Sequence, residues 1–306
     1  MNGVKPFRAL IILILLAATA TAAYSYRDNL YLLALVVTGK SPVCPVKQAV
    51  ACRSHEKQLE ATHNYLVKES KKVDSDGKYD RWQTPRGTYW IPAGSRFVLP
   101  FNLAEEALHI YGEGEQAVRK GDIVLDCGAN VGVFTTEALK AGAAKVIAIE
   151  PAPENVEVLK RNFKDEIAAG RVVVYPKGVW DKDDVLTLHV DPKNSAADTF
   201  VIDRKEATGS VQVPLTTIDK LAAELSLPRV DYIKMDIEGA EPNALRGGRE
   251  TIKQWKPRIS ISAYHQPDHP VVIPQIIKET RPDYLMECGP CAEANGHIRP
   301  DILWFR

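Results

Sequence analysis

The sequence predicts an α/β fold built on a doubly wound, mostly parallel sheet. Short apolar runs alternate with helix-patterned stretches after Gly121, as in chains of repeated strand–helix units. A turn with two glycines follows the first of these runs, and an acidic residue ends the second. The chain has 306 residues, of which 45% are hydrophobic, so it can form one large core with a smaller attachment.

The elements follow from this alternation in order along the chain. The first half of the sheet should contain strands ending at Asp126, Glu150 and Tyr175, with helices from Val133 and over residues 154–164 between them. Residues 185–190 read as an inserted strand. The second half should contain strands over 230–236 and 259–263, and a terminal strand over 303–305.

The segment from Asp126 to Gly132 is the predicted ligand turn. Glycine at 128 and 132 allows a sharp bend and lets a ligand approach the backbone. Glu150 ends the next strand about twenty residues later, where a carboxylate can accept hydrogen bonds from both hydroxyls of a ribose. The segment lacks the G-x-G-x-x-G spacing, which disfavours a nicotinamide cofactor. A nucleoside ligand is therefore expected.

A second acidic signature follows the predicted strand over 230–236. Asp236 and Glu238 should face the same crevice as Gly128, because ligands of open α/β sheets bind outside the carboxyl ends of the strands. Glu241 directly precedes Pro242, which favours a helix start and a structural role for this acid. A carboxylate held by backbone amides is the alternative for Asp236, and a solvated side chain is the alternative for Glu238.

Three segments together, residues 126–132, 214–219 and 234–241, resemble the FkbM family of methyltransferases. The similarity extends from about Ala104 nearly to the end of the chain. It implies the Rossmann-like class I methyltransferase fold, with an antiparallel last strand. It also implies S-adenosylmethionine as the methyl donor and, as the acceptor, a hydroxyl oxygen on a sugar or secondary metabolite.

The resemblance assigns the cofactor site to the predicted turn and its neighbours. Asp126 and the turn containing Gly128, Asn130 and Gly132 would hold the amino-acid end of the cofactor, beside a ribose bound by Glu150. In this fold Trp180 lies near the adenine and could pack on it, although it could equally belong to the core.

Methyl transfer to oxygen requires in-line positioning and removal of the hydroxyl proton. Asp236 is the first candidate for the general base, with Glu238 beside it. His265 is the second candidate, because it follows the strand over 259–263 and titrates near working pH. The histidine could instead belong to an ordinary polar loop. Asp236 and Glu238 could also hold magnesium or manganese to orient a diol, although the spacing does not require a metal.

Cys288 and Cys291 have the C-x-x-C spacing of redox and zinc sites, but they follow an apparent strand, so a turn is the favoured interpretation. A zinc site with His265 and His269 is disfavoured because the prolines around His269 argue against a shared helix. The chain has five cysteines, which gives no even disulfide framework and indicates a reducing compartment.

Residues 1–40 are predicted to be a membrane anchor. Lys5 and Arg8 precede a first apolar stretch, and residues 30–37 form a second one that could return the chain in a hairpin or lie at the interface. A cleaved signal peptide is the rival interpretation. Because S-adenosylmethionine is a cytosolic metabolite, we expect a membrane-anchored protein with a cytosolic catalytic domain. The anchor adds lipid-linked glycans to the candidate acceptors.

Residues 41–118 are predicted to form a cap of one helix and short strands, and residues 119–306 the catalytic domain. The aromatic residues of the cap could contact the acceptor, but local core packing is the more common role. Formal net charge is zero and basic residues do not cluster, so no nucleic-acid partner is expected. Two rival functions are a membrane-tethered nucleoside-binding module without turnover and a nicotinamide-dependent oxidoreductase.

Overall fold

A computed structural model describes residues 27–190 and 209–306. Its helices lie on both sides of a central sheet and in the N-terminal region. In chain order they are α1 (27–37), α2 (Val46–Glu69), α3 (Val98–Ala107), α4 (Val133–Lys140), α5 (Pro153–Asn162), α6 (Lys164–Ala168), α7 (Ile218–Glu224), α8 (Glu241–Arg246), α9 (Arg249–Trp255) and α10 (His269–Thr280).

The strands form one large sheet and several small ones. In chain order they are β1 (Lys71–Ser75), β2 (Tyr79–Thr84), β3 (Gly87–Pro92), β4 (Ile123–Cys127), β5 (Lys145–Ile149), β6 (Val172–Tyr175), β7 (Gly178–Val179), β8 (Asp184–Val190), β9 (Gly209–Thr216), β10 (Tyr232–Met235), β11 (Arg258–Ser262), β12 (Met286–Cys288), β13 (Cys291–Ala294), β14 (His297–Pro300) and β15 (Ile302–Phe305).

The central sheet has seven strands in the order β12-β15-β11-β10-β4-β5-β6. Strands β11, β10, β4, β5 and β6 are parallel, whereas β15 is antiparallel to both β11 and β12. The predicted mixed α/β fold, mostly parallel sheet and antiparallel last strand are therefore confirmed. The chain leaves β4 toward β6 on one side and returns through β10 on the other, so the strand order reverses between β4 and β10.

Alternate residues of the central strands pack into two cores, one on each face. In β4, Leu125 joins one core and Val124 the other. Helices α7 to α10 cover the first face, and α4 and α5 cover the second. This double covering explains why these strands read as continuous apolar runs in the sequence.

The predicted inserted strand exists, but it lies outside the central sheet. Strand β8 pairs antiparallel with β9, and β9 pairs parallel with the two-residue strand β7. This small sheet follows the third central strand and lies near the carboxyl end of β6.

The N-terminal region packs against the rest of the chain. The cap helix is present as α2, and β1, β2 and β3 form an antiparallel sheet. A second helix that the sequence did not predict, α3, follows these strands and begins at Val98. The prediction missed this helix because Pro100, which reads as a breaker, is tolerated in its first turn.

The predicted membrane segment is not supported by the described residues. No helix among residues 27–190 and 209–306 is long and apolar enough to span a bilayer. Leu32 and Leu35, in the second apolar stretch, are instead buried in the core that also contains Ala49 and Cys52 of α2. The first apolar stretch lies outside the described residues.

Cys44 and Cys291 form a disulfide bond that joins the segment before α2 to strand β13. The expectation of no disulfide framework, inferred from an odd cysteine count, is wrong for this pair. A pair separated by 247 residues has no local sequence signal. The C-x-x-C segment is the two-residue connection between β12 and β13, with one cysteine in each strand, and its two cysteines are not bonded to each other.

Candidate active site

A cleft of about 960 Å³ opens at the carboxyl ends of β4, β5 and β10, where the strand order reverses. Helices α2 and α3 supply its opposite wall through His55, Leu59, His63 and Phe101. Its volume is at the upper end of the range for small-molecule sites, roughly 300–1,000 Å³. The cleft therefore has room for a cofactor and an acceptor together.

The turn after β4 approaches the end of β10 closely. Gly128 and Asn130 line the cleft, and both have left-handed backbones with φ of +79° and +51°. A Cβ atom at position 128 would lie 1.9 Å from the carbonyl oxygen of Asp236, so no other residue fits without movement of the backbone. The glycine is required by this contact as well as by the bend.

Glu150 lines the same cleft at the end of β5, and 5% of the residue is exposed. Its carboxylate accepts hydrogen bonds from the backbone amides of Asn130, at 2.8 Å, and Ala152, at 3.0 Å. These bonds hold the side chain in place at the cleft, where its carboxylate can accept hydrogen bonds from a ligand. Burial raises the pKa of Glu150 to about 7, although the two amide bonds oppose the shift.

Three of the predicted cofactor residues do not line the cleft. Asp126 is fully buried and accepts a hydrogen bond of 2.6 Å from Thr135, so it supports the turn from beneath. A Cβ atom at Gly132 would lie 2.2 Å from the ring of Phe163, which makes this glycine a packing requirement. Trp180 is half-buried, whereas its neighbour Val179 reaches the cleft.

Asp236, Glu238 and His265 do come together, as the strand-end argument predicted. The Nε2 atom of His265 lies 3.5 Å from Asp236 Oδ1 and 3.5 Å from Glu238 Oε1. Tyr111 donates a 2.8 Å hydrogen bond to Asp236 Oδ2. Burial raises the pKa of Asp236, but the charges of Lys234 and His265 and the bond from Tyr111 outweigh it and lower the pKa.

The other nitrogen of His265, Nδ1, lies 2.9 Å from Oε1 of the fully buried Glu241. That oxygen also accepts a hydrogen bond of 3.0 Å from the backbone amide of Ile237, in the loop that enters α8. Burial alone would lower the pKa of His265, but the carboxylates of Glu238, Glu241 and Asp236 raise it to about 10. The imidazole therefore carries a positive charge at neutral pH.

His269 also approaches Glu241, with its Nδ1 atom 3.6 Å from Oε2. Pro270 does not prevent a helix here, because it occupies the first turn of α10, where proline is well tolerated. His265 lies in the loop before this helix, so the two histidines do not share a helix, as predicted, and Cys288 and Cys291 do not join them. Cys291 is bonded to Cys44, and the Cys288 thiol lies 3.5 Å from the carbonyl oxygen of Val43.

Lys234 is a site residue to which the sequence analysis assigned no role. Its buried ammonium donates to the carbonyl oxygen of Gly128 at 2.9 Å and lies 3.5 Å from Asp126. It therefore ties β10 to the turn after β4. The sequence did contain a signal for this role, which is a lysine in the middle of an otherwise apolar strand. A buried charge needs partners, so such a lysine indicates a polar contact inside the protein.

Two further acids of the cleft, Glu105 and Glu106, come from helix α3, which the sequence argument did not predict. Burial raises the pKa of Glu106 to about 8 and that of Glu105 well above its ordinary value. With Glu150, Asp236 and Glu238 they make the cleft rich in carboxyl groups, which are opposed by Lys234 and the protonated His265.

Comparisons with known proteins identify related methyltransferases. The family model described as Methyltransferase FkbM domain matches residues 126–289. The 2-O-methyltransferase NoeI of Sinorhizobium fredii is 27% identical over 152 residues, which cover 44% of this chain and 60% of that protein. The 31-O-demethyl-FK506 methyltransferase FkbM of Streptomyces tacrolimicus is 26% identical over 169 residues, which cover 46% of this chain and 64% of that protein.

A crystal structure of the methyltransferase FkbM from Methylobacillus flagellatus is 20% identical, covers 83% of this chain and 59% of that one, and has a TM-score of 0.45. Two other curated methyltransferases are matched over 57% and 66% of their lengths. The chain thus matches less than two thirds of the length of these curated relatives.

Proposed function

Because this chain belongs to the FkbM family of methyltransferases, we propose that it transfers a methyl group from S-adenosylmethionine to a hydroxyl oxygen. One observation carries the proposal. Glu150, whose carboxylate can accept from ribose hydroxyls, lines the same cleft as Asp236, at the ends of strands on either side of β4.

The residues of the cleft fit the proposed cofactor. Glu150 would accept from the ribose, and the backbone at Gly128 and Asn130 would lie against the amino-acid end. Val179, in the small strand after β6, would lie beside the base, with Trp180 behind it. S-adenosylmethionine, when bound, supplies an electrophilic methyl group.

Charge supports the same assignment. Asp236, whose pKa is lowered, creates a negative potential that attracts a ligand with a sulfonium and an ammonium, whereas the raised pKa values keep Glu105 and Glu106 largely protonated at neutral pH. Lys234 does not cancel this potential at the surface, because its ammonium is buried and bound to the turn. A nicotinamide dinucleotide, which carries a diphosphate, would meet the same negative potential at a cost.

Asp236 is the proposed proton acceptor for the hydroxyl of the second substrate. It lines the cleft, and the hydrogen bond from Tyr111 fixes one of its oxygens. Holding the hydroxyl in line with the methyl group should supply most of the rate enhancement, and proton removal a further 10²- to 10⁴-fold, roughly. Glu238 and His265 would orient the acceptor or balance charge beside Asp236.

The acceptor would enter between the central sheet and helices α2 and α3. His63 and Phe101 line this end of the cleft with ring centroids 6.3 Å apart, and Phe97 stands exposed at the rim. Aromatic faces of this kind suit the apolar face of a sugar ring or the body of a secondary metabolite. The two matched O-methyltransferases, NoeI and FkbM, support oxygen as the methylated atom.

A methyl-transfer assay tests the proposal. The purified chain, incubated with isotopically labelled S-adenosylmethionine and a panel of sugars, glycolipids and polyhydroxylated metabolites, should release S-adenosylhomocysteine and give a product labelled on oxygen. Binding of the cofactor without any labelled product, across extracts as well as pure compounds, would instead favour a nucleoside-binding module without turnover.

A further inference from the structure

We propose that Asp236, Glu238 and His265 form a binding site for one divalent transition-metal ion at the edge of the cleft. One oxygen of each carboxylate and Nε2 of His265 lie within 4.8 Å of one another. All three residues line the cleft, so an ion among them could be reached by a ligand there.

The distances between His265 and the two carboxylates suit ligands of a shared ion better than partners in hydrogen bonds. The Nε2 atom of His265 is 3.5 Å from an oxygen of Asp236 and 3.5 Å from an oxygen of Glu238. A hydrogen bond between nitrogen and oxygen is usually about 2.9–3.0 Å long. Two ligands, each about 2.1 Å from a tetrahedral ion, lie roughly 3.4 Å apart, which is close to the observed value.

The key nitrogen is buried and lacks a hydrogen bond. The side chain of His265 is 3% exposed, and its Nε2 atom has no hydrogen-bond partner in the described part of the chain. The same is true of Asp236 Oδ1, which faces it. Buried polar atoms are usually hydrogen-bonded, and these two face each other at 3.5 Å, so an ion could replace the Nε2 proton between them.

The surroundings orient both ligands. Glu241 contacts Nδ1 of His265 and favours a proton there, so an ion that displaces the Nε2 proton would meet a lone pair directed at the cleft. A carboxylate on the second nitrogen is the usual arrangement behind a metal-binding histidine. Tyr111 holds Oδ2 of Asp236 and leaves Oδ1 directed at the histidine. Glu241 and Tyr111 are thus positioning residues for the site.

The mixed ligand set selects the class of ion. One imidazole and two carboxylates suit zinc, manganese or iron, whereas magnesium prefers oxygen ligands alone and keeps several waters. A second group, Glu241, His265 and His269, would use the other nitrogen of the same histidine, but Glu241 and His269 do not line the cleft. The cleft-facing group is therefore the one proposed.

The role of the ion rests on the proposed function, but its binding does not. An open coordination position toward the cleft would hold the acceptor hydroxyl and lower the pKa of that hydroxyl, as a bound ion does for water. Asp236 would then act as a metal ligand in the loaded enzyme, and the hydroxyl, with its pKa lowered, would release its proton to water in the cleft.

Metal binding can be measured without cofactor or acceptor. The full chain, stripped with a chelator and dialysed, is titrated with zinc and with manganese by calorimetry, and manganese binding is also followed by electron paramagnetic resonance. We expect one ion per chain, with affinity at least tenfold weaker in His265→Gln and roughly 10- to 100-fold weaker in Glu241→Gln. His297→Gln, which changes an exposed histidine away from the cleft, is the matched control and should bind like the unaltered chain.

Two outcomes would overturn the site. One is a folded, unaltered chain that binds neither ion. The other is a His265→Gln variant that matches the His297→Gln control in affinity. Circular dichroism of each variant separates loss of the site from loss of the fold, and binding of S-adenosylmethionine in the same samples tests the proposed function separately.

Discussion

The backbone at Gly128 contacts the carbonyl oxygen of Asp236 so closely that a Cβ atom there would lie 1.9 Å from it. The two residues end the neighbouring strands β4 and β10, on either side of the point where the strand order reverses. This contact brings the proposed cofactor turn and the proposed catalytic carboxylate into one cleft. A side chain added at Gly128 should therefore also displace Asp236.

Substitution of Gly128 tests this contact. Gly128→Ala should lower the free energy of unfolding by roughly 3 kcal/mol or more, because the new methyl group overlaps the backbone and the left-handed conformation is strained. Gly170→Ala is the matched control. Its φ is also positive, at +69°, but nothing lies within 4 Å of the added atom, so we expect a cost of about 1 kcal/mol. Equal losses on urea denaturation would refute the close contact.

Binding of S-adenosylmethionine should depend on the ionisation of Glu150. Its pKa of about 7 lies above the ordinary value, so the carboxyl becomes protonated as the pH falls below about 7 and then loses acceptor capacity for the ribose hydroxyls. We expect the dissociation constant to rise by up to about tenfold per pH unit in that range and to be flat above about pH 8. Glu150→Gln should bind more weakly at every pH, with no such dependence. Calorimetric titrations from about pH 6 to pH 8 measure both chains, and a dependence retained by the variant would assign it to another group.

Asp236→Asn should abolish most of the turnover and leave cofactor binding within about twofold. The amide keeps the shape of the side chain but cannot accept the hydroxyl proton, so a fall of roughly 10²- to 10⁴-fold in kcat is expected. Asp283→Asn is the control, because Asp283 is an exposed carboxylate that does not line the cleft. It pairs with Lys256 and Arg281. Normal turnover in Asp236→Asn would remove Asp236 from the mechanism.

The disulfide between Cys44 and Cys291 should stabilise the fold by roughly 2–4 kcal/mol, because it closes a long loop in the unfolded chain. A reductant should therefore lower the urea midpoint of the unaltered chain. It should have no further effect on Cys44→Ser, which lacks the bond from the start. Identical midpoints for the reduced and oxidised unaltered chain, or thiol counts showing both cysteines free, would contradict the bond.

Local patterns in the sequence were enough to predict the central sheet. The runs ending at Asp126, Glu150 and Asp236 are buried strands with turns after them, and the reversal of strand order brings Gly128, Glu150 and Asp236 to one edge. These features depend on residues that are neighbours in sequence or on a general rule for parallel sheets. The prediction that Asp236, Glu238 and His265 share a cleft came from the same rule.

Contacts between distant segments could not be predicted in this way. Nothing near Tyr111 indicates that its hydroxyl reaches Asp236, and nothing near Cys44 indicates that Cys291 is its partner. Helix α3, which brings Glu106 into the cleft, begins with a proline-containing segment that resembles a loop. Single-sequence patterns also do not distinguish the packing role of Gly132 from contact with a ligand.

Calorimetric titration of the folded, full-length chain with S-adenosylmethionine, and separately with a nicotinamide dinucleotide, is the most direct test of the central claim. We expect a saturable heat with one S-adenosylmethionine bound per chain and no heat with the dinucleotide. Affinity for S-adenosylmethionine should be greatly weakened in Glu150→Gln. A folded chain that gives no heat with S-adenosylmethionine, or that binds the dinucleotide instead, would contradict the claim.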